Sequence, residues 1–179
     1  MNNQAISDSS SSATAARRVA LETPAGFLAF GFGSGLSPVA PGTAGTAVGM
    51  LLAFPLAGVP VWAGLLFVAA AFLAGIPICE RASRKLGVHD HGGIVWDEFV
   101  GIWLVLVLVP FHWAWWLAAF VAFRVFDIAK PWPIGWLDRR VHGGFGIMLD
   151  DLIAAVYALA VLWLGGWLVG GLAGCTAKA

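Results

Sequence analysis

Apolar residues fall in long blocks separated by short polar or glycine/proline breaks, and the blocks set the expected elements. A Gly/Pro/Ser loop over 31–43 leads into an apolar helix over roughly 44–57. Gly58-Val59-Pro60 then turns the chain into a second apolar helix over 60–78. A polar segment from Glu80 to Gly93 follows. Two more apolar helices are expected over 94–109 and 113–129, divided at Pro110-Phe111-His112. A second polar segment, Lys130 to Gly146, precedes a last helix over about 147–172. Spanning a bilayer core takes about 20 helical residues. The last block meets that easily, whereas 44–57 is short enough to be tilted or re-entrant. The pattern therefore predicts an all-α, polytopic membrane bundle of about five transmembrane or re-entrant helices.

Composition sharpens this picture. The chain is 60% hydrophobic and 11% charged, against roughly 25% charged in soluble domains. Ten Trp suit a protein with two membrane interfaces. A net charge of zero gives no basic surface for nucleic acid. Cys79 and Cys175 are far apart and have no metal-binding spacing. Residues 1–22 are Ser/Ala-rich at the start and are expected to form a disordered tail ahead of one domain over 23–175. Arg17-Arg18 before the glycine-broken stretch 26–36 is not expected to mark a cleaved signal.

Threading five segments alternately gathers nearly all the charge on one side. Arg17, Arg18, Arg81, Arg84, Lys85, Arg124, Lys130, Arg139 and Arg140 lie there, as do all the acids; only Lys178 lies opposite. By the positive-inside rule that side is cytoplasmic, and so is the N-terminus.

Five constellations on that side bear chemistry. Asp97-Glu98 opens an apolar helix; acids at a helix start are also ordinary partners of the macrodipole, but two large apolar flanks are not. Asp150-Asp151 repeats the arrangement after a glycine-rich approach. Arg124, Asp127 and Lys130 are spaced three apart on one helix face, which an intrahelical salt bridge would also explain. His89-Asp90-His91 offers imidazoles for proton transfer, or is a solvated loop. Pro41-Gly42-Thr43 enters a helix whose free N–H groups suit an anion. Carboxylates with Lys and Arg are hard, oxygen-rich chemistry that suits Mg²⁺ and a substrate phosphate. No zinc spacing, serine elbow or cysteine nucleophile context is present, so hydrolysis by metal-activated water is the economical mechanism.

These stretches resemble the phosphatidylglycerophosphatase A family of bacterial inner-membrane lipid phosphatases. The resemblance rests on 31–38 with Pro41-Gly42-Thr43; on 87–92 with Ile94-Val95-Trp96-Asp97-Glu98-Phe99 and Gly101; on Asp127 with Lys130-Pro131-Trp132-Pro133-Ile134; and on 141–148 with Asp150-Asp151. It implies Mg²⁺-dependent removal of the phosphomonoester of phosphatidylglycerophosphate, giving phosphatidylglycerol on the route to cardiolipin. The expected metal ligands are Asp97, Glu98, Asp127, Asp150 and Asp151. Lys130 and the backbone at Gly42 and Thr43 would hold the phosphate, with Arg124 assisting or only pairing with Asp127. His89, Asp90 or His91 would act as acid or base. The rival from another class is a small cation or proton transporter using intramembrane carboxylates, which would place acids at mid-helix and on both sides. The Asp-Gly-x-x-Ala-Arg signature of CDP-alcohol phosphatidyltransferases and the Pro-Ser-Gly-His of histidine-nucleophile lipid phosphatases are both missing.

Overall fold

The computed structural model describes residues 14–88 and 91–176. Among them there are helices and no strands. The elements are α1 (residues 14–22), α2 (Pro24–Ala29), a 3-10 turn (Gly31–Leu36), α3 (Pro41–Leu52), a second 3-10 turn (Phe54–Gly58), α4 (Val61–Leu86), α5 (Trp96–Leu108), α6 (Trp113–Ala129), α7 (Ile134–Asp138) and α8 (Gly143–Thr176).

Local chemistry explains most of the boundaries. The Thr23 hydroxyl accepts from the Gly26 N–H at 3.0 Å, and Pro24 occupies the first turn, so α2 starts there. The His112 ring accepts from Ala114 N–H at the start of α6. Gly87 ends α4 in the left-handed conformation, φ +70°. Two expectations change. The block over 44–57 is divided: α3 ends at Leu52, and Pro55 redirects the chain into the second 3-10 turn. Part of the expected tail, residues 14–22, is helical, with Ala16 and Ala20 buried.

Helix α5 is the centre of the bundle, packed by α3, α4, α6 and α8. Its residues from Trp96 to Trp103 are all buried. Two buried indoles tie it to its neighbours: Trp96 Nε1 donates to the Ala71 carbonyl at 3.1 Å, and Trp103 Nε1 to the Gly49 carbonyl at 2.8 Å. Small residues on α3 let α5 come close, since a Cβ on Gly45 would lie 2.6 Å from Val95 Cβ.

The long helices run up and down, so α3, α5 and α8 start at the end where α4 and α6 finish. That end carries the charged loops. The turns at the opposite end, 53–60 and 109–112, contain no Asp, Glu, Lys or Arg. Among the described residues two helices are long and apolar enough to cross a membrane, Val61–Leu86 and Gly143–Leu168; α5 and α6 are shorter, at 13 and 17 residues. The outer faces expose Leu66, Leu73, Val121, Ile128 and Leu164, a surface suited to hydrocarbon rather than water. Exposed Trp62, Trp113 and Trp167 lie toward the uncharged end, and Trp132 and Trp136 at the charged one, as two interfacial belts require.

Candidate active site

The first turn of the central helix faces inward, and that buries Asp97 and Glu98, each 8% exposed. Asp151, 3% exposed, enters from the third turn of α8. One carboxylate oxygen from each of these three residues lies within 4.8 Å of the other two. Ionised oxygens that close repel by about 3 kcal/mol or more per pair at an effective dielectric near 20. Glu98 Oε2 and Asp151 Oδ2 are buried and accept no hydrogen bond. Buried acceptors with no donor are costly, so these two oxygens suit a cation.

The other acids are placed differently. Asp127, on the last turns of α6, is ion-paired with Arg124 Nη1 on its own helix. Arg124 also reaches Glu98 at 3.5 Å, so the guanidinium bridges α6 and α5. Asp150 accepts from Lys130 Nζ at 2.6 Å, and Asp138 lies 3.3 Å from the same ammonium. Lys130 caps α6 in the left-handed region, φ 38°, a conformation that costs a non-glycine residue about 1 kcal/mol. That backbone turn directs Lys130 across to α8.

One cavity of about 340 Å³ collects these groups. Asp97, Glu98, Asp127, Asp150 and Asp151 line it with Arg124 and Lys130, an excess of three negative charges if all are ionised. Ala40, Pro41 and Gly42, where α3 begins, close one side. Ala40 is also left-handed, φ 47°, and no side chain caps this helix start. A Cβ on Gly42 would lie 2.3 Å from Glu98 Oε1 and 3.0 Å from Arg124 Nη2, so only glycine lets the α3 backbone sit against the acids.

Of the residues singled out in the sequence, Thr43 and His91 lie beside this cavity rather than in its wall. Thr43 lines an adjacent groove with Arg124. His91 opens into a neighbouring cavity that shares Pro41 and Gly92 with the acidic one, and its Nδ1 accepts from Gly93 N–H at 3.0 Å. His89 and Asp90 lie outside the described residues.

Two supporting residues were not foreseen. Thr46, fully buried, donates to the Gly42 carbonyl at 2.9 Å and lies 3.5 Å from Arg124 Nη1. A hydroxyl one turn after Gly42 in an apolar helix, three residues beyond Thr43, is its only sequence signal. Glu80 accepts from Gly144 N–H at 2.5 Å and from Arg84 Nε at 2.6 Å, fastening the start of α8 to the end of α4. Nothing in the pattern announced a partner 64 residues away.

Among the described residues, helix ends gather acids and bases around one small cavity at one pole of an apolar, all-helical bundle. The chain belongs to the phosphatidylglycerophosphatase A family, whose model matches residues 27–165. It is 49% identical over 152 residues to the phosphatidylglycerophosphatase A of Haemophilus influenzae, covering 82% of this chain and 91% of that one. It is 44% identical over 150 residues to the Escherichia coli protein of the same name, covering 83% and 87%. A putative phosphatidylinositol-3-phosphatase of Bacteroides thetaiotaomicron is 37% identical over 148 residues, 78% and 92% of the two chains. No solved structure matches the chain. None of these relatives is a transporter by name, and that reading gains no support.

Proposed function

We propose that this protein is a lipid phosphatase that hydrolyses the phosphomonoester of phosphatidylglycerophosphate to phosphatidylglycerol and inorganic phosphate. Two relatives at 44% and 49% identity bear that activity in their names. The observation that carries the reading is the single cavity where five carboxylates meet one Lys and one Arg at the start of a helix. A phosphatase must both bind an anion and supply a nucleophile beside it, and this wall holds groups for each.

Lys130 and the uncapped start of α3 at Gly42 bind the phosphate oxygens, aided by the positive end of the helix dipole. Arg124 is held by Glu98 and Asp127, which keeps it at the rim of the same site. Asp150 orients the Lys130 ammonium. Asp97, Glu98 and Asp151 fit a hard divalent cation, since all their donors are oxygen and two of those oxygens accept no hydrogen bond. Mg²⁺ bound there would neutralise phosphate charge and yield a hydroxide-like water at neutral pH. Asp127 and Asp150 then act through the cations rather than as ligands, a smaller metal set than the five acids suggest in sequence. His91, which opens into the neighbouring cavity that shares Pro41 and Gly92 with the acidic one, serves to move a proton there.

The protein is read as multi-pass in the bacterial inner membrane, with α5 and α6 embedded beside α4 and α8. The charged end faces the cytoplasm, following the excess of Lys and Arg there. Purified protein in detergent micelles is expected to release phosphate from phosphatidylglycerophosphate, to stop in EDTA and to resume with Mg²⁺. Undiminished release in EDTA would remove the metal from the mechanism; no release under any condition would remove the phosphatase.

Gly42→Ala tests the α3 contact. The new methyl must displace Glu98 or Arg124 by about an ångström, and a misplacement of that size can cost ~10²-fold in turnover. The kcat on phosphatidylglycerophosphate is the measurement; wild-type kcat in Gly42→Ala would show that α3 does not shape the site.

A further inference from the structure

A second concavity, about 440 Å³, lies between the first turn of α3 and the outer face of α6. Phe120, Val121, Val125 and Ile128 form its α6 wall, and Thr43 belongs to its α3 side. Its exposed lining is apolar throughout. Arg124 and Ile128 line both this groove and the acidic cavity, so the two share a wall. The guanidinium of Arg124 is engaged with Glu98 and Asp127. What Arg124 gives the groove is therefore its methylene stem, as long cationic side chains do when their heads are held elsewhere.

We propose that this α3–α6 groove seats the glycerol-proximal part of an acyl chain of the lipid whose phosphate enters the acidic cavity. The inference rests on the phosphatase reading and adds to it a place for the apolar half of the substrate. Apolar residues facing outward are expected on any membrane helix, and Leu73 of α4 is one, 65% exposed and outside the groove. The groove differs in two respects. It is a shallow groove of α6 flanked by Thr43 of α3, and it adjoins the reacting pocket across Arg124 and Ile128. A lipid whose headgroup reaches past Arg124 must lay its chains along the outside of the bundle at that point. Val121, Val125 and Ile128, spaced i, i+4, i+7, provide one continuous helix face in that direction. The site thus selects for esters carrying a chain next to the glycerol, and water-soluble phosphomonoesters gain nothing from it.

The test is a chain-length series. Dibutanoyl, dihexanoyl and dioctanoyl forms of phosphatidylglycerophosphate, each below its micellar concentration, are assayed for phosphate release with wild type, Val125→Trp, Val121→Trp and Leu73→Trp. In wild type kcat/KM is expected to rise with chain length. Filling the groove with indole should reduce the dioctanoyl-to-dibutanoyl ratio by ~10-fold, within the range a few methylenes supply in an apolar pocket. Leu73→Trp, on a different helix, should keep the wild-type ratio. Because each ratio is internal to one protein, a loss of folded material does not imitate the effect. A wild-type ratio in both groove variants would overturn the proposal, as would an equal fall in Leu73→Trp. Absence of phosphate release from all three lipids by wild type would instead overturn the phosphatase reading beneath it.

Discussion

Asp151→Asn is expected to lose nearly all phosphate release while gaining stability in metal-free buffer. The two effects have one cause. Asp151 contributes one of three carboxylates whose oxygens lie within 4.8 Å of one another, and its Oδ2 is buried without a donor. In EDTA that crowding works against the fold. Removing one charge relieves repulsion of about 3 kcal/mol per ionised pair, and each kcal/mol recovered should raise Tm by ~2–4 °C for a chain of this size. In the proposed mechanism the same charge is required. Loss of one preorganised electrostatic group in an active site typically costs ~10²–10³-fold in kcat. Wild type should also gain Tm on adding Mg²⁺, because a ligand that binds only the folded state stabilises it, and the variant should gain less. Phosphate release and thermal unfolding in detergent, each with and without Mg²⁺, give the four numbers required. Wild-type turnover in Asp151→Asn would take Asp151 out of the site. A lower Tm in EDTA would show that its oxygens serve the fold as acceptors instead.

Arg124→Met should be the most destabilising single change at the site. The Arg124 side chain, 13% exposed, is paired with both Glu98 and Asp127, whose side chains are 11% and 14% exposed. Taking one partner from a buried ion pair leaves its counter-charge uncompensated and costs roughly 3–5 kcal/mol. Here two carboxylates would be left. Adding Asp127→Asn to Arg124→Met should return part of that stability, since one of the two stranded charges is gone. The four proteins form a double-mutant cycle with a coupling energy of about 1–3 kcal/mol. Unfolding midpoints in a fixed detergent supply the cycle. Additive losses would mean that Arg124 and Asp127 act independently.

The residues that converge on the cavity were readable in sequence because charge is expensive inside apolar blocks. Asp97-Glu98, Asp127, Lys130 and Asp150-Asp151 each interrupt or border such a block, and each lines the cavity. Their pairing was not readable. A spacing of three identified Arg124 with Asp127, but the reach of the same guanidinium to Glu98 depends on how α5 packs against α6. Lys130 lies three residues from Asp127 and reaches Asp150 instead, because its own backbone is left-handed. Nothing in an Ile-Ala-Lys-Pro stretch specifies that turn. The break between α3 and the following 3-10 turn is signalled by Pro55 alone, because Ala53 and Phe54 continue the apolar block up to it without a polar residue. Hydropathy records what a residue is bordered by along the chain, whereas the site is defined by which helix ends meet.

The position of α8 also sets an order of assembly. During synthesis Asp97, Glu98 and Asp127 emerge with Arg124 and Lys130, three acids against two bases. The nascent bundle up to residue 142 is therefore close to electrically balanced at its charged pole. Asp150 and Asp151 arrive only with the final long helix, and Glu80 receives Gly144 at its first turn. The surplus negative charge is thus contributed by α8, the last in chain order of the helices around the pocket. A chain halted before α8 lacks the full acidic complement of the site, and the excess of three negative charges exists only once α8 has joined the bundle.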